Sequence, residues 1–355
     1  MNNFIENFKK LKLPSFASLQ VCFDLGTSTT RIGIVSKGIA LKEPTCLGLN
    51  KRNHEFIFFG QEAKLIIGKV PEFITIVKPM VNGIISDFDA QVALIRKFLQ
   101  IAIDPYSSGN LFKPQIEIIA AYPSIATEIE QKAVEEVFYK IGVSKVTLVP
   151  KILPTAIGCG FNIFAHKPVF IVDMGGGLIE MGIISGGGTV TYKATKNAGE
   201  QMNKLVYNYI YLKHGIILGE TTCEEMKINL LTFKDSDKTM VVRGKSLETG
   251  LPKSAKIKVT DIKEALLTNL NQISDSIKEI IEGAPPEVVD EIYSNGVVLA
   301  GGLAQIPGID TFFKQELKVD IHPSESPLNA TISGLLRLAK SKEHLEMIQG
   351  GVQYP

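Results

Sequence analysis

Two apolar runs, each ending in an aspartate and then a glycine turn, lie about half a chain apart. They are Val21-Cys22-Phe23-Asp24-Leu25-Gly26-Thr27-Ser28-Thr29-Thr30 and Val169-Phe170-Ile171-Val172-Asp173-Met174-Gly175-Gly176-Gly177. An apolar run that stops at Asp-x-Gly reads as a buried strand entering a tight turn. Such a turn exposes backbone N–H groups, and a row of these donors cradles an anion. The carboxylate repels phosphate, but it holds a divalent cation or its water shell, and the cation bridges phosphate oxygens. One such loop is an ordinary strand-end turn, because Asp favours that position. Two of them predict two similar halves that clamp one polyphosphate.

A third run, Gly296-Val297-Val298-Leu299-Ala300-Gly301-Gly302-Leu303, is another apolar strand ending in glycines. Glycines there let the backbone approach a flat ligand closely. The order Asp-Leu-Gly-Thr, Asp-Met-Gly-Gly-Gly, Ala-Gly-Gly resembles the ATPase fold shared by actin, sugar kinases and heat-shock chaperones. The likeness narrows further. Gly68-Lys69-Val70-Pro71-Glu72, Lys78-Pro79-Met80-Val81-Asn82-Gly83-Ile84-Ile85-Ser86-Asp87-Phe88 and Ala198-Gly199-Glu200-Gln201-Met202 resemble segments of MreB, the bacterial actin. So do Gly219-Glu220-Thr221-Thr222-Cys223-Glu224-Glu225-Met226-Lys227-Ile228 and residues 243–253. The matches run in the family's order from about Val21 to Leu338.

The resemblance implies a duplicated α/β fold: two lobes, each a large subdomain with a smaller one inserted, and a nucleotide in the central cleft. It implies ATP or ADP with Mg²⁺. Asp24 and Asp173 fall at the cation, through water. Gly26, Thr27, Ser28, Thr29, Gly175, Gly176 and Gly177 fall at the phosphates. Gly199, Glu200, Glu224, Glu225, Lys227, Gly301, Gly302 and Leu303 fall at the nucleoside end. In the family's Thr-x-x-Glu-Arg segment the Glu orients the attacking water, which makes Glu130 the catalytic candidate, alongside Asp173, with Thr127 as its helix cap. Three departures stand out. Gln131 replaces the Arg, Pro150-Lys151-Ile152 replaces Glu-Glu-Pro, and Leu303 replaces a third glycine. Asp24 and Asp173 also have a plain turn role, and Thr27 and Ser28 a plain capping one. Glu130 also fits a glutamate that only complements its helix dipole, and Glu224, Glu225 and Lys227 fit an exposed helical face.

Composition narrows the function classes. At 355 residues the chain suits two lobes, and its formal net charge of +1 gives no field that favours nucleic acid. Cys22, Cys46, Cys159 and Cys223 form no CxxC pair and read as reduced core residues. No HExxH or paired histidines point to a metal cage. No apolar run reaches the ~18 residues of a spanning helix, and the start lacks the pattern of a signal peptide, so a cytoplasmic protein is expected.

The expected layout is an amphipathic segment over residues 1–20, a first lobe over 21–154 with its small subdomain at about 39–85, and a second lobe over 155–340 with its small subdomain at about 193–256. A loosely held tail over 341–355 follows. Helices are expected after Asp87, after Thr127 (with Ile129 among its apolar positions), over 155–160, from Gly199 to about His214, from Ile262 to Ile281 and, last, from Ala330 to Ala339. In the first segment Phe4, Ile5, Phe8 and Leu11 recur at helical spacing beside Lys9, Lys10 and Lys12, which fits a surface helix on anionic lipid as well as a segment packed on its own domain.

The resulting expectation is an ATP-dependent, filament-forming bacterial actin with slow hydrolysis. It would sit at the inner face of the cell membrane as a scaffold for cell shape and the wall-synthesis machinery, with itself as chief partner and no nucleic acid. A filament that positions plasmids or organelles, and a small-molecule kinase of the same fold, are the alternatives.

Overall fold

The computed structural model describes residues 18–107 and 115–349. The expected membrane residues (Phe4, Ile5, Phe8, Lys9, Lys10, Leu11 and Lys12) lie outside this range.

Two five-stranded sheets share one topology. In the first, Leu19–Leu25, Thr29–Ile34 and Gly38–Pro44 form an antiparallel run, and Ile116–Tyr122 and Lys145–Pro150 extend it in parallel. In the second, Val169–Met174, Ile179–Ser185 and Gly188–Thr195 form the antiparallel run, and Val297–Ala300 and Ile321–Pro323 extend it. The central strands are mostly apolar, apart from Gln20 and the strand-end Asp24 and Asp173, because both their faces are covered. Val21 and Phe23 pack against helices Phe88–Ser107 and Glu128–Lys140, while Cys22, between them in sequence, faces helix Ala330–Leu338. Phe170 and Val172 likewise pack with helices Gly199–His214 and Val259–Glu282, and Ile171 faces helix Ile152–Gly158.

Helices Ile152–Gly158 and Ala330–Leu338 therefore lie between the two sheets and join the lobes. They cross almost backbone to backbone. A Cβ on Gly158 would fall 1.7 Å from the Ala330 carbonyl oxygen, and one on Gly334 1.6 Å from that of Pro154. The Thr155 and Thr331 hydroxyls hydrogen-bond across the crossing at 2.9 Å. Through Ala330–Leu338 the chain returns to the first sheet, although residues up to 340 were expected in the second lobe.

Each lobe carries a small three-stranded sheet. Leu47–Asn50, Glu55–Phe59 and Ile74–Val77 form one, and Ile216–Ile217, Thr239–Ser246 and Pro252–Lys258 the other.

Several expectations differ from the structure. The first strand begins at Leu19, inside the segment assigned to 1–20. The helix expected at Thr155 starts at Ile152, because Pro154 in a first turn costs no internal hydrogen bond. Ile129 is 81% exposed rather than part of a buried stripe. A further helix, Pro286–Asn295, starts at the Pro285-Pro286 pair and was not expected. The tail is not loose over its first part. Helix Lys342–Gln349 packs Leu345 and Ile348 against the sheets, and His344 stacks on Phe164 with ring centroids 4.1 Å apart. All four cysteines are free, and Cys159 is only half-buried. Burial pushes the Cys22 thiol up to about 12, so it is an inert packing group.

Candidate functional site

The carboxyl ends of Leu19–Leu25 and Val169–Met174 point into one cleft between the lobes, where open α/β sheets place their ligands. Its cavity is about 370 Å³, within the range of small-molecule sites. Asp24, Gly26, Thr27, Ser28 and Thr29 line one wall, and Asp173, Gly175, Gly176 and Gly177 line the other. Gly199, Glu200, Glu224, Lys227, Gly301, Gly302 and Leu303 complete it.

The two glycine turns touch. A Cβ on Gly176 would sit 2.1 Å from Ser28 Oγ, and one on Gly177 2.3 Å from Thr27 Oγ1. The Thr27 hydroxyl also accepts a hydrogen bond at 2.8 Å from the Gly83 N–H, in the turn of the Met80–Val81/Ile84–Ile85 hairpin. That hairpin belongs to the Lys78–Phe88 stretch. Helix Gly199–His214 is tied to the second turn by the Gly199 and Glu200 N–H groups, which donate to the Gly175 and Gly176 carbonyls at 3.2 and 2.7 Å.

The floor of the cleft is charged. Asp24 pairs with Arg31, its cross-strand neighbour, at 3.2 Å. Asp173 has Glu180 as its cross-strand neighbour and pairs instead with Lys151 of the other lobe, at 2.9 Å. Glu180 is buried and receives hydrogen bonds from the Ser124 N–H at 3.0 Å and the Tyr192 hydroxyl at 2.6 Å. Burial holds its carboxyl above the usual range, against the pull of Lys151 and these donors. Burial opposes the charge on Lys151 too, but Asp173, Asp24 and Glu180 outweigh it and keep the ammonium protonated above the ordinary lysine range. At the other end Lys227 is buried and donates to the Gly199 carbonyl at 2.8 Å. Burial lowers its pKa to about 8.

Two ion pairs join the small subdomains across the cleft mouth: Lys64 with Glu224 at 3.0 Å, and Lys78 with Glu220. Exposed pairs of this kind contribute about 0–1 kcal/mol each, so they bias closure without locking it.

Three candidates, Glu130, Thr127 and Glu225, are not brought to the cleft. Glu130 caps its own helix. Its carboxylate accepts from the Thr127 N–H at 2.7 Å and the Thr127 hydroxyl at 2.9 Å, and the Thr127 hydroxyl accepts from the Glu130 N–H at 3.3 Å. Neither Thr127 nor Glu130 is among the cleft-lining residues. Glu225 is exposed on the far side of helix Glu220–Leu230, while Glu224 and Lys227 face inward. Leu303 lines the cleft from a short 3₁₀ turn and is otherwise packed into the second lobe's core. Arg31, Glu180 and Asn203 line the site without having been singled out in the sequence. Glu180 sits seven residues after Asp173, as Arg31 does after Asp24, and that internal repeat was the available signal.

Two lobes of one topology, hinged by paired helices and facing each other through matched Asp-Gly turns, define an actin-like ATPase fold. Comparison with known proteins agrees. The family model for the MreB/Mbl protein matches residues 18–347. The cell shape-determining protein Mbl of Bacillus subtilis is 33% identical over 314 residues, 88% of this chain and 92% of that protein. The structure of MreB5 of Spiroplasma citri bound to AMPPNP superposes with a TM-score of 0.85 at 29% identity, covering 91% of this chain and 96% of that one. MamK, as a double helical filament, shares the fold at 20% identity and a TM-score of 0.75, covering 91% of this chain and 99% of that one. The chain belongs to the MreB/Mbl family, the bacterial actins.

Proposed function

We propose that this chain binds ATP in the cleft between its lobes, polymerises in the ATP-bound form, and hydrolyses ATP slowly as a timer for disassembly. One observation carries the reading: the two Asp-Gly turns, encoded about half a chain apart, meet at van der Waals contact in a single cleft. The cleft holds buried polar atoms without a hydrogen-bond partner among the described residues, Asp24 Oδ1 and Asn203 Oδ1, which suits a polar ligand. Backbone N–H groups of both turns would take the phosphates, and Lys227 and Glu224 would face the nucleoside.

Among the described residues no group of three or more His, Cys, Asp or Glu is placed to hold a metal on its own. The donor set still fits Mg²⁺ held jointly with phosphate, since Asp24 and Asp173 offer hard carboxylate oxygens from opposite walls. When bound there, the ion would supply charge shielding between the phosphates. The chain's own residues orient the phosphates from two sides and bring the lobes together, a population shift toward the closed, filament-competent shape. MreB5 in its AMPPNP-bound form is a precedent for nucleotide in this fold.

In the cell we place the filaments at the inner face of the membrane, tethered by residues 1–13, as a scaffold for shape and wall synthesis. No described helix is long and apolar enough to cross a membrane. Electron microscopy of the purified protein tests the reading. Filaments with ATP, and none without nucleotide, are expected. Monomers under both conditions, together with phosphate transfer to a small molecule, would replace it with the kinase alternative.

A further inference from the structure

The two halves match strand for strand, yet the charge at their centres does not. In the first lobe the strand-end carboxylate, Asp24, is neutralised by its own cross-strand neighbour, Arg31, at 3.2 Å. At the equivalent register of the second lobe Asp173 faces Glu180, another carboxylate. The missing cation comes from the opposite lobe. Lys151 follows strand Lys145–Pro150 and reaches across to Asp173 at 2.9 Å, with 18% of its side chain exposed on the cleft. Its backbone is pinned, because its N–H donates to the Tyr122 carbonyl at 2.8 Å and its carbonyl accepts from the Thr155 N–H and hydroxyl at 3.1 and 2.8 Å. The backbone anchor and the pair with Asp173 set the ammonium at the bottom of the site.

With all five groups ionised, the floor carries two cations and three anions, so removing Lys151 would double the negative excess that a phosphate meets. A phosphate entering where the two turns touch would find Lys151 as the cleft-facing cation beside Asp173. Arg31 is buried against Asp24 and only 11% of its side chain is exposed. A lysine forms charge-assisted hydrogen bonds to phosphate without needing a particular geometry.

We propose that Lys151 receives the terminal phosphate of the nucleotide, so that nucleotide binding by this chain depends only weakly on a divalent cation. The proposal rests on the nucleotide-binding reading above. Lys151 is then a binding residue that takes over part of the shielding a metal gives, and it links phosphate occupancy to the contact between the lobes.

The test is ATP affinity of the full chain by isothermal titration calorimetry, in excess Mg²⁺ and again in EDTA. Wild-type protein is expected to lose less than roughly 10-fold on removal of Mg²⁺. Lys151→Met keeps the side chain's length without its charge, and in EDTA it should lose at least roughly 10-fold more than it loses in Mg²⁺, the scale of one charge-assisted hydrogen bond. Lys151→Arg, which keeps the charge, should stay near wild type in EDTA. If wild-type binding in EDTA collapses by about 100-fold or more, the proposal is overturned, whatever the variants do. Equal metal dependence in wild type and Lys151→Met also overturns it. Absence of ATP binding by wild type even in Mg²⁺ would instead refute the nucleotide reading itself and the proposal with it.

Discussion

Gly177→Ala probes the meeting of the two lobes with a single added methyl. Its Cβ would lie 2.3 Å from Thr27 Oγ1 and 2.7 Å from both Thr27 Cβ and Cγ2. A rotamer change relieves only the first and third of these contacts, because Cβ is fixed to the backbone. One turn must therefore move away from the other. Over-packing of this size costs about 1–3 kcal/mol. The strain falls on the closed cleft and is relieved when the lobes part, so it is expected to appear as lost ATP affinity of roughly 5- to 150-fold. Melting of the nucleotide-free protein should change little. Thr27→Gly removes all three clashing atoms, together with the hydroxyl that accepts from the Gly83 N–H. That single change weakens binding by itself, so the informative quantity is the coupling in the double-mutant cycle. Gly177→Ala should cost less in the Thr27→Gly background, with a coupling of about 1 kcal/mol or more. Calorimetric titration of the four proteins with ATP measures it. Wild-type affinity in Gly177→Ala, or strict additivity in the cycle, would show that the turns do not close on each other over the nucleotide.

Glu130→Ala deletes the two hydrogen bonds that its carboxylate makes to Thr127, so stability to urea should fall by about 0.5–2 kcal/mol while phosphate release from ATP per folded molecule is unchanged. Release slowed by ~10²-fold at full ATP affinity would instead give Glu130 the water-positioning role that the family likeness implies. Lys227 titrates near pH 8 in the folded protein and near 10.5 when exposed. Below pH 8 both states carry the charge and the folded state bears its burial cost. Between those values the folded state has released the proton and the unfolded state has not, so the stability of nucleotide-free protein should rise by at most about 1.4 kcal/mol per pH unit. Urea titrations at pH 7.5, 9 and 10 should show this rise in wild type but not in Lys227→Met, and parallel curves would refute it. Deleting residues 1–13 should abolish co-pelleting with anionic vesicles and leave ATP-driven filaments intact. Phe4, Ile5, Phe8 and Leu11 supply at most roughly 1.5–3 kcal/mol each, and the three lysines about 1 kcal/mol each. Co-pelleting of the truncated chain would move the anchor elsewhere.

The phosphate end of the site was legible because it is local. Asp24 with its glycine turn, and Asp173 with its own, each declare a strand end within ten residues of sequence, and the turn fixes which backbone groups are exposed. Their partners were not legible in the same way. The Lys151–Asp173 contact joins residues on different lobes, and nothing at Lys151 itself distinguishes a cleft cation from a surface lysine. Lys227 reads as one charge among several on a helix until the fold buries it under Gly199. Glu130 shows the converse. Thr-x-x-Glu is a capping box as well as a family motif, and the local hydrogen bonds claim the carboxylate first. In the last helix the charges of 342–346 masked Leu345 and Ile348, whose role depends on grooves made by both sheets. Helix starts at Ile152 and Pro286 were obscured by prolines, which forbid helix interiors but not first turns.

Hydrogen–deuterium exchange of the full chain across an ATP titration in Mg²⁺ tests the central claim, that one nucleotide is held by both lobes, most directly. Amides of residues 26–30 and 175–177 should gain protection together, with one ATP dependence, and peptides of the remote helix 286–295 should not change. Protection of one turn alone, or of the two at clearly different ATP concentrations, would contradict the clamp.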